Sequence, residues 1–247
     1  MRLSSSSQET KHILIAVLIL TVVFAFNDNN PVFNPEKYAV NFITILILVI
    51  FSILVHLIIL KVASSHYGVL SEFKLWSFEE IFNIHPVTWK KYKKGFNIIY
   101  SGSLFAVLIT LISSGKSFFT AISTFKIEKT KTLGRDFPNI TEYEIALISF
   151  LIILAHFILV ILFKILSIKQ GIIINTWIII WNLLPISTLL GAKIFFGSRT
   201  LYIFTFIFAI ISLSLIGILT TVQALLLAVF FASIITLIWF WKIEYIK

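Results

Sequence analysis

Residues 56–76 read HLIILKVASSHYGVLSEFKLW, beginning inside an apolar run and leaving it through a polar turn at Tyr67-Gly68. Upstream, residues 38–63 carry no charge before Lys61. At about 1.5 Å per residue they are long enough to cross a hydrocarbon core about 30 Å thick. A transmembrane helix follows from this one stretch. Lys61 is expected to snorkel toward the headgroups at the helix end. His56 lies deeper, where an ionisable residue faces the interior of a helix bundle and needs a hydrogen-bond partner.

The rest of the chain agrees. Hydrophobic residues make up 59% of 247, charged residues 13%, and the mean hydropathy is +1.02. A soluble domain of this length could not bury so much apolar surface. The net charge of +9 is spread through short loops, with no basic stripe on a soluble domain, which argues against a nucleic-acid partner and for membrane lipid. With no cysteine, disulfides, thiolate metal sites and cysteine nucleophiles are excluded.

Apolar runs predict an all-α chain of about six spans: 13–26, 38–63, 144–168, 172–189 (interrupted by Pro185), 201–219 and 222–241. The run 13–26 is short enough to read as a signal peptide too; an uncleaved anchor is the expectation. Residues 98–125 are expected to dip into the membrane as a re-entrant hairpin and return on the same side. That arrangement places 16 of the 20 Lys and Arg on one face and only Lys37, Lys164 and Lys169 on the other. By the positive-inside bias, the N-terminus is cytoplasmic, in the cell membrane. The chain is expected to be one membrane domain over 1–247. It divides into a polar tail (1–12), a core (38–200) and a closing helical hairpin (201–241). Glu79, Glu80, Lys90, Lys91, Lys93 and Lys94 read as a solvated, headgroup-facing stretch.

A second stretch matters as much as the first: Asn182-Leu183-Leu184-Pro185-Ile186-Ser187-Thr188-Leu189-Leu190-Gly191. Together the two resemble the site-2 protease family of intramembrane zinc metalloproteases, in its archaeal form. That family carries His-Glu-x-x-His on one helix, then an Arg-Tyr-Gly-like turn and a Glu-Phe-x-x-Trp stretch. Here His56, Tyr67, Gly68, Glu72, Phe73 and Trp76 stand at the matching offsets. The family's second motif, Asn-x-x-Pro-x-x-x-x-Asp-Gly, is met by Asn182, Pro185 and Gly191. The resemblance implies a site-2-protease-like core in which Asn182, Pro185 and Gly191 border the substrate groove.

It also implies zinc, held by the two histidines and the aspartate, with the glutamate as general base. In this chain those positions are His56, Leu57 for the base, Leu60 for the second histidine and Leu190 for the aspartate. A family Gly-Pro and Asn in the fourth segment stand here as Ile152-Ile153 and His156. Leucine has no lone pair, so Leu60 and Leu190 cannot bind metal and Leu57 cannot take a proton. Catalytic zinc generally needs three protein ligands, which leaves His56 as a vestigial ligand and no cofactor expected. His66 lies about 15 Å along the same helix, and His12 and His85 lie in polar segments. Pairing His56 with His156 would still lack a carboxylate.

The resulting expectation is a catalytically inactive pseudoprotease that binds a transmembrane helix or another membrane partner. Its alternatives are an active zinc protease with an unrecognised site and a small membrane transporter. Neither the client nor the oligomeric state is legible in the sequence.

Overall fold

The computed structural model describes residues 6–26, 34–77, 101–128, 140–186 and 188–245. Helix α1 (Ser7–Ala25) starts where the Ser6 hydroxyl accepts from the Glu9 amide at 3.1 Å. Helix α2 (Pro35–His66) starts at Asn34, whose side-chain oxygen accepts from the amides of Glu36 and Lys37, with Pro35 preset for the first turn. It ends at Tyr67 and at Gly68, whose φ of 70° is the left-handed conformation favoured by glycine.

Strand β1 (Leu70–Leu75) then pairs antiparallel with β2 (Ser123–Glu128), setting Phe73 opposite Phe125 and Glu72 opposite Lys126. Between them lies α3 (Ser101–Ile112), after which the chain turns through Ser114 and Gly115, both at positive φ. Residues 116–122 return without helix to β2. The all-α expectation is corrected here. In β1 burial alternates, with Ser71, Phe73 and Leu75 buried, the period-2 pattern of a half-buried strand. That short alternation was overlooked beside the apolar run it follows.

Helix α4 (Glu142–Ile165) opens with a capping box, Thr141 and Glu144 each satisfying the other's amide. A turn through Ser167 leads to α5 (Lys169–Leu183). The run expected to continue to residue 189 stops here, because Pro185 cannot sit in a helix interior. Short α6 (Leu190–Gly197) and α7 (Arg199–Leu215) share Ser198 as a single bend residue, whose hydroxyl accepts from the Leu201 amide. Helix α8 (Thr221–Trp239) follows and runs into a π-helical turn over Phe240–Tyr245.

Among the described residues, four helices are long and apolar enough to cross a membrane: α1, α2, α4 and α8. Helix α5, with 15 residues, and α7, with 17, are shorter than a straight crossing needs. The chain is mostly helical, with several helices long and apolar enough to cross a membrane.

The core lies where α2, α4 and α5 meet, with α1 against α2 and α6 against α4. Phe51 of α2 packs on Phe163 of α4, and His56 on His156, so these two helices are antiparallel. Phe163 also covers Gly171 of α5, and His156 reaches Asn175. So α5 is antiparallel to α4 and parallel to α2. Helix α8 packs on α7 through Ala224, Ala228, Ala232 and Thr236, small residues four apart that let backbones approach closely in lipid. Its other face exposes large apolar side chains such as Leu226, Phe230 and Leu237, as a lipid-facing surface does.

The polar tail expected over residues 1–12 is corrected from Ser7 onward, and so is the snorkelling of Lys61. Glu9 is buried, 2.8 Å from the ammonium of Lys61. The same carboxylate accepts from the Phe73 amide at 2.8 Å, and Lys61 also donates to the Ser71 carbonyl at 2.5 Å. Burying this pair requires that each charge keep hydrogen bonds as well as its partner. Their arrangement fastens α1, α2 and β1 together.

Candidate functional site

At the centre of the core, His56 and His156 face each other, Nδ1 of the first 3.1 Å from Nε2 of the second. Nδ1 of His156 lies 2.8 Å from the side-chain oxygen of Asn175. The Asn175 amide nitrogen donates to the Gly171 carbonyl at 2.9 Å and to the Ser52 hydroxyl at 3.0 Å. All four side chains, Ser52, His56, His156 and Asn175, are buried, and α2, α4 and α5 each supply at least one.

Hydrogen-bond accounting orients this chain completely. The Gly171 carbonyl can only accept, so the amide nitrogen of Asn175 faces it and the oxygen faces His156. Nδ1 of His156 therefore carries the proton. An uncompensated imidazolium would be costly in this buried, apolar core. With both rings neutral, His156 Nε2 accepts from His56 Nδ1–H. The remaining nitrogen, Nε2 of His56, then bears a lone pair. It is buried and has no hydrogen-bond partner among the described residues.

The other residues of the two motifs lie on α2, α5 and α6 and in the link between α5 and α6. Leu60, one turn beyond His56, and Leu190, at the start of α6, are fully buried in the same apolar core. Leu57 is only partly buried. Asn182 is buried on α5, its amide nitrogen donating to the Ile178 carbonyl at 2.9 Å and its oxygen without a partner among the described residues. Gly191 packs so tightly on Leu183 that a Cβ there would run into the Leu183 carbonyl. Glycine is required at 191 by that contact. Pro185 lies between α5 and α6, just past the end of α5.

Sequence reasoning missed two elements of the site. One is β2: the Thr124 hydroxyl donates to the Thr188 carbonyl at 2.6 Å, and Lys193 donates to the Phe125 carbonyl at 2.6 Å. The Lys193 ammonium also sits 3.4 Å from the centre of the Phe125 ring, a cation–π geometry. The other is Asn175, a polar residue on an apolar helix that carried no motif, which turns the His56–His156 pair into a hydrogen-bonded chain. Its place amid apolar neighbours was the available signal. Glu79, Glu80, His85 and the lysines from Lys90 to Lys94 lie outside the described residues.

The donor set does not fit zinc. Only one nitrogen, His56 Nε2, offers a free lone pair at the expected place, and the neighbouring positions Leu57, Leu60 and Leu190 have none. Among the described residues, no three His, Asp or Glu side chains gather as a ligand group.

A separate feature lies between α5 and α7. A cavity of about 350 Å³ separates α5 from α7, lined by Ile180, Leu183 and Leu184 on one wall and Phe206, Ala209 and Leu213 on the other. Ser214 is the one polar side chain in its wall. No family model matches the chain, and neither a curated protein nor a solved structure matches it.

Proposed function

We propose that this chain is a catalytically inactive, site-2-protease-like membrane protein that holds a transmembrane helix of a client in the apolar groove between α5 and α7. The groove itself is the observation that carries this reading. At about 350 Å³ it falls in the size range of ligand sites and offers an almost wholly apolar wall. Within a bilayer, such a wall distinguishes its occupant by packing, the main source of helix association in lipid. It begins where α5 ends ahead of Pro185, beside the stretch that resembles the family's groove-bordering motif.

Chemistry at His56 supports binding without cleavage. Hydrolysis would need a metal-bound water and a base, and Leu57, Leu60 and Leu190 supply neither ligand nor base. The reading therefore separates a retained groove from a lost reaction.

A photo-crosslinker placed at Ile180 or Ala209, with Leu226 on the outer face of α8 as control, tests this in bilayers containing a single-span model protein. Adducts to that span from the groove positions, and not from residue 226, are expected. Adducts to lipid alone would sink the client reading. Stoichiometric zinc lost in His56→Ala, or chelator-sensitive cleavage of the span, would restore the active protease.

A further inference from the structure

Helix α5 presents two different faces. Ile179, Ile180, Leu183 and Leu184 face the groove, while Asn175 and Asn182, seven residues apart, fall together on a buried face beside it. The bond from Asn175 to Ser52 sets the register of α5 against the parallel helix α2. From that level, His56 lies four residues further along α2 and Asn182 seven further along α5. At 1.5 Å per residue the two are offset by only about 4.5 Å along the helix axes.

Contacts also connect the two residues by way of the sheet. The His56 ring meets Phe73 edge-on, with centroids 5.8 Å apart. Phe73 is paired with Phe125, and Phe125 holds Lys193 of α6. Helix α6 returns through Gly191 to the Leu183 carbonyl, adjacent to Asn182. A chain of contacts thus runs from His56 through the sheet and α6 to Asn182.

Two buried atoms remain unmatched at its two ends. Nε2 of His56 carries a lone pair because Nδ1 donates to His156. The Asn182 oxygen is an acceptor because its amide nitrogen is committed to Ile178. Both lack a donor among the described residues, although buried polar groups are almost always paired.

We infer that His56 Nε2 and Asn182 Oδ1 form a site for one small neutral double donor, a water molecule that bridges α2 and α5. Water has the two protons these acceptors require, and internal water typically satisfies such otherwise unmatched groups. A divalent cation is disfavoured because two neutral donors leave its charge uncompensated in an apolar core. This site does not rest on client binding at the groove, whose lining includes neither His56 nor Asn182.

Solid-state NMR of the full chain in lipid bilayers, with ¹⁵N-labelled histidine, decides the point. Expected are a His56 ring protonated on Nδ1, a bare Nε2, and a correlation from Nε2 to water protons that survives drying of the bulk phase. In Asn182→Leu that correlation is lost while the His56–His156 contact persists. Asn182→Ala serves in its place if the leucine prevents folding. A proton on Nε2, an Nε2 without a water contact, or a correlation unchanged by both variants would overturn the inference. Zinc bound at Nε2 in the wild-type protein would overturn it too.

Discussion

Nδ1 of His56 stands 3.1 Å from Nε2 of His156, across 100 residues of chain. That contact makes the histidine expected to be a vestigial metal ligand the end member of a neutral hydrogen-bonded relay. The relay joins three helices whose other contacts are almost entirely apolar, so its loss should be measurable.

His156→Leu leaves the Nδ1–H of His56 and the oxygen of Asn175 buried without partners. A destabilisation of about 1–3 kcal/mol is expected for each buried group left unpaired. Denaturant titration in detergent measures it. A cycle with Asn175→Leu should show strong non-additivity, because the two residues share one network.

Breaking the Glu9–Lys61 pair should cost more than removing it. Glu9→Gln or Lys61→Met alone leaves one buried charge uncompensated and is expected to cost about 3–5 kcal/mol. The double variant Glu9→Leu with Lys61→Met should recover much of that loss. Equal losses in the single and double variants would refute the pairing. A Glu9 left in solvent by a truly polar tail would make Glu9→Gln neutral.

Gly191→Ala adds one methyl against the Leu183 carbonyl. Backbone cannot yield as a flexible side chain can, so α6 must shift, at about 1–3 kcal/mol for overpacking. Because α6 carries Lys193, the shift should also loosen β2, seen as faster amide exchange at Phe125 and its neighbours.

Lys164, near the end of α4, donates to the carbonyls of Ile216 and Leu219 beyond the end of α7. Lys164→Met removes both bonds. Faster amide exchange in the turn between α7 and α8 is expected, with α2 and α4 unchanged. The cost should be about 1–3 kcal/mol, as for buried acceptors left unpaired.

Much of the architecture was legible along the chain. Residues 38–63 and 144–168 read directly as membrane helices, and α2 and α4 occupy them within a few residues. The break at Pro185 was also visible, since a missing amide and a fixed φ act locally. The two short strands were harder. Only Glu72-Phe73-Lys74-Leu75 alternates polar and apolar in β1, which carries little weight beside long apolar helices, and its strand partner β2 lies about fifty residues away. Glu9 was misplaced for the same reason: a lone carboxylate beside Ser5, Ser6 and Ser7 reads as solvent-exposed, and its two partners are distant in sequence.

Composition and periodicity by themselves determined that this chain enters a membrane and which runs become helices, because lipid forces each span to satisfy its own backbone. They also determined that Leu57, Leu60 and Leu190 bring no lone pair to a metal. Tertiary structure alone decided where the few polar side chains go. His56 meets His156 and Asn175, Glu9 meets Lys61, and Lys193 meets Phe125 only after the helices and strands have packed. In an apolar medium a polar group is defined by the one partner it finds, and that partner is set by three-dimensional register.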